Sequence, residues 1–153
     1  MPECVILVGL PGAGKTSFYR ERFNSTHTHL SKDLWPDARG REARQLRELE
    51  ALLAAGRSVV IDNINATVED RAALIAIAQR RGARTIGYFI DVTTRQAVAR
   101  NRERSGKARV PNVTIFAAAK RLSAPTPAEG FDELYRVELT PDRRFAIGEV
   151  RNK

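Results

Sequence analysis

Eight residues near the N-terminus constrain this chain more than any others. Gly9-Leu10-Pro11-Gly12-Ala13-Gly14-Lys15-Thr16 fits the spacing G-x-x-x-x-G-K-[ST]. Chemistry explains that spacing. Glycines let backbone N–H groups wrap closely around a phosphate. A helix opening at Lys15 turns its positive end toward the same anion. Lys15 can then reach the β- and γ-phosphates of a nucleoside triphosphate, with ATP the expected one, and the Thr16 hydroxyl can ligate Mg²⁺. Pro11, Ala13 and Ser17 complete the expected phosphate-binding stretch. The motif requires a buried strand before it and a helix after it. Cys4 to Val8 is a short apolar run, and Lys15 to Phe23 reads as helix.

The same alternation continues downstream, which predicts an α/β fold with a parallel sheet, helices on both faces and a helical or loop lid. His27 to Leu30 is a short second strand. Leu46, Leu49 and Leu53 give Ala43 to Ala54 a helical spacing, and Gly56 stops it. Ser58 to Ile61 is a buried strand ending in Asp62-Asn63. Thr67 with Asp70 resembles a capping box, opening a helix that Gly82 closes. Thr85 to Ile90 is the next strand, Thr94 to Arg104 a basic helix, and Asn112 to Leu122 a further helix. Leu134 to Leu139 alternates like a strand, and a last one is possible around Phe145 to Ile147. No repeat or linker interrupts this order.

With 153 residues the chain suits one domain, spanning 1–153, with a lid at about 100–111 and a basic tail at about 140–153. The apolar runs are too short to span a membrane, and no basic-then-apolar signal segment opens the chain, so a cytoplasmic location and no membrane partner are expected. Cys4 is the only cysteine, so no internal disulfide can form, and its apolar neighbours suggest a buried strand thiol. The net charge of +8 favours polyanionic partners. Its distribution says more. Arg95, Arg100, Arg102, Arg104, Lys107 and Arg109 face one acid, Glu103, so five of the eight excess charges sit in that window.

Several residues have the chemistry for phosphoryl transfer. Asp62, at the C-terminal end of a buried strand, could hold the Mg²⁺ hydration shell or orient an acceptor; it or Asn63 could equally cap a turn. A hydroxyl acceptor needs a carboxylate base nearby. Asp33 and Asp37 both follow the second strand, and either could instead cap the next helix, so spacing leaves the two open. Arg100 and Arg104 are four apart on one expected helix face, which suggests a lid closing on phosphates. His27 and His29 alternate on a strand without clustered Cys or carboxylate ligands, which makes a metal site there an unfavoured expectation.

Taken together, these segments are similar to one family. Gly9 to Thr16, Ser31-Lys32-Asp33, Val59-Val60-Ile61-Asp62-Asn63-Ile64-Asn65, Arg100-Asn101-Arg102-Glu103-Arg104 with Val110-Pro111, and Pro125 followed by Glu129-Gly130-Phe131 resemble the polynucleotide 5′-hydroxyl kinases, in that order. The phosphate loop is shared by many families; the D-N-x-N strand end, the R-N-x-x-R lid and the P-x-x-x-E-G-F segment are more specific in combination. The resemblance covers the chain from its start to about residue 139. It implies that Asp33 is the general base, that Arg104 with Arg100 contacts the donor phosphates, and that Asp62 lies near the acceptor.

The chain departs from the family pattern in two places. Lys32 stands where the family usually has Arg, which keeps the charge but loses bidentate phosphate recognition. Pro36 stands where some members carry an acceptor-binding Arg, leaving Arg39 and Arg41 as substitutes. Trp35 could stack on a terminal base or simply pack. The expected acceptor side is therefore Lys32, Trp35, Asp62, Asn63 and Arg39, serving 5′-hydroxyl ends of DNA or RNA and yielding 5′-phosphates suited to ligation in nucleic acid repair. A kinase for a small hydroxylated metabolite, nucleoside or antibiotic keeps every donor-side residue and is the alternative. A non-catalytic ATP-binding regulatory module is a third, against which an intact Asp33 and lid argue.

Overall fold

A computed structural model describes residues 1–106 and 109–151. Lys107 of the expected lid and the last two residues of the expected tail lie outside them. The chain runs β1 (Glu3–Val8), α1 (Lys15–Arg22), β2 (Thr28–Leu30), α2 (Arg41–Ala54), β3 (Val59–Asp62), α3 (Val68–Arg80), β4 (Arg84–Ile90), α4 (Thr94–Arg102), α5 (Asn112–Arg121), β5 (Glu133–Leu139) and β6 (Phe145–Glu149). Among the described residues no helix is long and apolar enough to cross a membrane.

The sheet has the order β2-β3-β1-β4-β5-β6. The first five strands are parallel, and β6 returns antiparallel beside β5. The sheet is therefore mixed rather than wholly parallel. A tight turn from Thr140 to Arg144 makes the reversal possible, because two antiparallel strands need only a hairpin whereas a parallel pair needs a crossover.

The core explains the apolar pattern of β1. Successive side chains point to opposite faces. Val5 and Leu7 enter one buried cluster with Phe18 of α1, Phe23 just after it, Ala97 of α4 and Ile115 of α5. Cys4, Ile6 and Val8 enter the other, with Leu49 and Leu53 of α2 and Leu74 and Ile75 of α3. Both faces are covered, so the strand is apolar throughout. Burial pushes the Cys4 thiol up to about 12, which leaves it inert at neutral pH.

Local signals set the helix ends. The Thr67 hydroxyl accepts from the Asp70 amide and the Asp70 carboxylate accepts from the Thr67 amide, which closes the expected capping box. Thr93 and Gln96 form another at the start of α4. At its far end α4 stops at Arg102 with Glu103 as cap, two residues short of the expected helix, so Arg104 lies beyond it rather than on its face.

Candidate active site

The parallel strands end along one edge, and β1 lies where the chain reverses direction across the sheet, between β3 and β4. Ligands of open α/β sheets gather at such a switch point. Register places Asp62 of β3 beside Leu7 of β1, hence next to the phosphate loop. Gly12 in that loop has φ +85°, and a Cβ there would come within 2.6 Å of the Ala97 carbonyl oxygen. Only glycine lets α4 press against the back of the loop.

Lys15 is buried and folds back over the loop, its Nζ donating to the carbonyls of Gly9 at 2.7 Å and Leu10 at 2.9 Å. Burial lowers its ammonium to about 8, with Asp62 opposing the change, Arg104 adding to it and Asp33 opposing it. Pro11 and Ala13 lie in the turn between the two glycines, where the Ala13 amide donates to Leu10. Thr16 and Ser17 sit in the first turn of α1, Ser17 exposed.

Thr16 donates its hydroxyl to Oδ2 of Asp62 at 2.9 Å, and His29 Nε2 meets the same oxygen at 2.9 Å. The His29 ring packs on Tyr19 with centroids 4.4 Å apart. Burial alone would raise the Asp62 pKa, but the His29 hydrogen bond, the Lys15 charge and the Thr16 hydroxyl hold it below the usual carboxylate range. One hydroxyl and one ionised carboxylate beside a phosphate loop are hard oxygen donors, which fits Mg²⁺ bound through few protein ligands and substrate phosphates. From sequence, His29 is legible only as an unfavoured metal ligand. Its place beside Asp62 depends on how β2 pairs with β3, where His29 lies opposite Val60.

Asp33 lies on a 3₁₀ turn, Lys32–Leu34, held from below by Asn63. The Asn63 Oδ1 accepts from the Lys32 amide at 3.0 Å and from the Ser31 hydroxyl at 3.3 Å, while its Nδ2 donates to buried Gln45 at 2.6 Å. Both ends of the Asn63 amide are thus engaged in holding the Asp33 turn. Asp33 itself is exposed. It lines an open cleft of about 320 Å³ with Lys32, Arg41, Asn63 and Arg121, whereas Asp37 is not among the residues lining that cleft.

Two of the other expected acceptor residues, Lys32 and Trp35, have partners on the protein itself. Lys32 Nζ donates to Glu42 at 2.9 Å. Trp35 is half-buried against the core under α2, and the Arg44 guanidinium lies 4.2 Å from its ring centroid. Arg39 is exposed on the loop before α2.

The two arginines of the expected lid approach from the α4 side. Arg100 donates its Nε to the Gly12 carbonyl at 2.9 Å, so it braces the loop directly. Arg104 is half-buried; burial and then Arg100 depress its pKa, while Asp62 and Asp33 oppose that. Lys15, Arg104, Asp62 and Asp33 therefore share one electrostatic neighbourhood. Between the arginines, buried Asn101 holds Val110 from both sides: its Nδ2 donates to the Val110 carbonyl at 2.6 Å and its Oδ1 accepts the Val110 amide at 3.0 Å.

The remaining motif residues are scaffold. Asn65 Nδ2 donates to the Leu7 carbonyl at 2.7 Å, tying the end of β3 to β1. Arg71, fully buried, binds Glu129 through Nε at 2.7 Å and Nη2 at 3.1 Å, and reaches the carbonyls of Asn65, Ala66 and Ser123. Phe131 packs over Gly87, where a Cβ would come within 2.7 Å of its ring.

A family model described as an AAA domain matches residues 4–125. A protein of Acanthamoeba polyphaga mimivirus, named a bifunctional polynucleotide phosphatase/kinase, is 28% identical over 149 residues; the match takes in 92% of this chain and 34% of that protein. The chain thus spans about a third of the length of this relative. Among solved structures, a sugar kinase from a Janibacter species aligns with a TM-score of 0.68 at 18% identity, covering 90% of this chain and 86% of the other. A Sinorhizobium meliloti gluconokinase aligns at 0.66 and 17%, covering 90% and 82%. The Mycobacterium tuberculosis APS kinase, solved with AMPPNP and APS, aligns at 0.60 and 21%, covering 94% and 90%. The chain has the α/β fold of P-loop kinases and carries their nucleotide-binding loop.

Proposed function

We propose that this chain, which belongs to the AAA domain family, transfers the γ-phosphoryl group of ATP to the 5′-hydroxyl end of DNA or RNA. The observation that carries this is Asp33: an exposed carboxylate at the mouth of an open polar cleft, sharing the electrostatic neighbourhood of Lys15 and Arg104. The similarity to the mimivirus polynucleotide phosphatase/kinase supports a nucleic-acid acceptor.

In this mechanism the loop amides and Lys15 hold the donor phosphates. Asp33 takes the proton of the 5′-hydroxyl, whose oxygen attacks the γ-phosphorus in line. The bond to the β–γ bridging oxygen breaks and ADP leaves with that electron pair. Arg100 and Arg104 stabilise the charge as it spreads over the phosphoryl oxygens. Mg²⁺, held by Thr16 with Asp62 behind it, would neutralise the β- and γ-phosphates. His29 and Thr16 fix the Asp62 carboxylate, and Asn63 fixes the turn that carries Asp33.

A small hydroxylated acceptor is the second reading. A cleft of about 320 Å³ would suit a sugar, and its cations Lys32, Arg41 and Arg121 are matched by Asp33, Glu42 and Asp70. Labelled ATP offered with 5′-hydroxyl DNA, 5′-hydroxyl RNA, nucleosides and sugars separates the two. Label on polynucleotide ends supports the proposal; label on small molecules alone would sink it. ATP binding without transfer to any acceptor would favour a regulatory module.

A further inference from the structure

The basic window of the sequence is only partly used by the active site. Arg100 and Arg104 face the phosphate loop, but Arg95 and Arg102 lie seven residues apart on the outer face of α4, exposed, with no acidic partner among the described residues. Val98 and Ala99 lie between them. Together with Phe116 of α5 these residues line a groove of about 540 Å³ between the two helices. Phe116 is 50% exposed and Val113, one turn before it, 69% exposed. A half-exposed phenyl ring beside two unpaired guanidiniums has no evident packing role.

The groove also leads somewhere. Phe116, Lys120 and Arg121 lie on the exposed side of α5, and Arg121 lines the cleft at whose mouth Asp33 sits. From Phe116 to Arg121 the helix rises about 8 Å and turns through roughly 140°, so a strand joining them crosses the exposed surface of α5 as well as following its axis, a span of several nucleotides at the stacked spacing of about 3.4 Å. A strand whose 5′ end enters the Asp33 cleft would therefore meet, in order, Arg121, Lys120, the Phe116 ring and the arginines of α4. Alternating cations with an aromatic face is how proteins hold single strands without regard to sequence: charge follows the phosphates and the ring takes a base.

We propose that the outer face of α5 and the α4–α5 groove form a track for the single-stranded segment behind the reacting 5′ end, with one base stacked on Phe116. This rests on the polynucleotide proposal above and extends it to the acceptor's length and strandedness. It makes the acceptor site several nucleotides long, while the chemistry at Asp33 needs only the first.

The test compares a 3′-phosphorylated nucleoside with a 12-nucleotide 5′-hydroxyl single strand as acceptors for wild type, Phe116→Ala and the double variant Arg95→Gln/Arg102→Gln. Oligonucleotide binding is followed in parallel by fluorescence anisotropy. Phe116→Ala should raise KM and Kd for the 12-mer by at least about fivefold, the loss of one stacked base. kcat/KM for the mononucleotide should not change. The double variant should lower the salt slope of 12-mer binding by about 1.4, two phosphate contacts at roughly 0.7 each. Equal losses on both acceptors, or 12-mer binding unchanged in both variants, would overturn the track while leaving the polynucleotide proposal standing. Failure of the wild type to phosphorylate either acceptor would overturn both.

Discussion

Thr16 donates its hydroxyl to Oδ2 of Asp62 at 2.9 Å, joining the first turn of α1 to the end of β3. That bond sets the spacing between the phosphate loop and the acid expected behind the metal. His29 occupies the same oxygen from the other side. Asp62→Asn can keep both contacts through its single amide oxygen, but it carries no charge and puts an NH₂ donor where the second carboxylate oxygen stood. It should lower kcat by on the order of a hundredfold and raise the Mg²⁺ concentration needed for half-maximal rate. A Mg²⁺ titration at saturating ATP checks this. Metal-free nucleotide affinity should stay close to wild type.

Lys15 should make the nucleotide-free protein pH-sensitive. Its folded value, about 8, lies below the ordinary 10.5 because burial disfavours the ammonium. The unfolded chain therefore binds more protons between these values, and stability rises with pH across that window. Below about pH 8 the buried charge costs its full amount, about 3 kcal/mol. Lys15→Met should thus be more stable than wild type at pH 7 in the absence of nucleotide, with the gap closing by about pH 10.5. Urea unfolding of both proteins at several pH values measures it. A gap that stays constant with pH would show that Lys15 is not the group responsible.

The same shift predicts proton uptake on nucleotide binding. Donor phosphates beside Lys15 favour its charged form, so binding near pH 8.5 should take up a fraction of a proton. Calorimetric titration in two buffers of different ionisation enthalpy reads this directly. Equal apparent enthalpies in both buffers would contradict it.

Glu129 should matter to folding and not to chemistry. Removing it leaves Arg71 charged and fully buried without its carboxylate, which costs about 3–5 kcal/mol. Glu129→Ala should lower Tm markedly, while the protein that remains folded at low temperature keeps its ATP affinity. Loss of affinity without loss of stability would place Glu129 in the site instead of under it.

Sequence and structure agree most closely where local chemistry decides. The glycine spacing of the loop, the unbroken apolar run of β1 and the Thr67–Asp70 box each depend on neighbours in the chain, and each stands as expected. What was not legible depends on register and on side chains meeting across elements. His29 reaches Asp62 only because β2 pairs with β3, and Asn63 supports Asp33 only because Gln45 comes up from α2. The specific motifs carried less chemistry than their grouping suggested: Asn65, Asn101 and Glu129 are polar because they satisfy backbone or a buried guanidinium. A buried hydrogen-bonding residue and a ligand-binding one have the same composition, and only the partner distinguishes them. Arg104 shows a related limit. Four-residue spacing suggested one helix face with Arg100, yet α4 ends first and the two are brought together by the turn after it.

In the proposed reaction Asp33 activates the 5′-hydroxyl. Single-turnover transfer from labelled ATP to a 5′-hydroxyl oligonucleotide, by wild type and by Asp33→Asn, tests it most directly. The variant should bind ATP as wild type does and transfer at least about a hundredfold more slowly, the usual scale of a lost general base. Transfer by Asp33→Asn at the wild-type rate would contradict it.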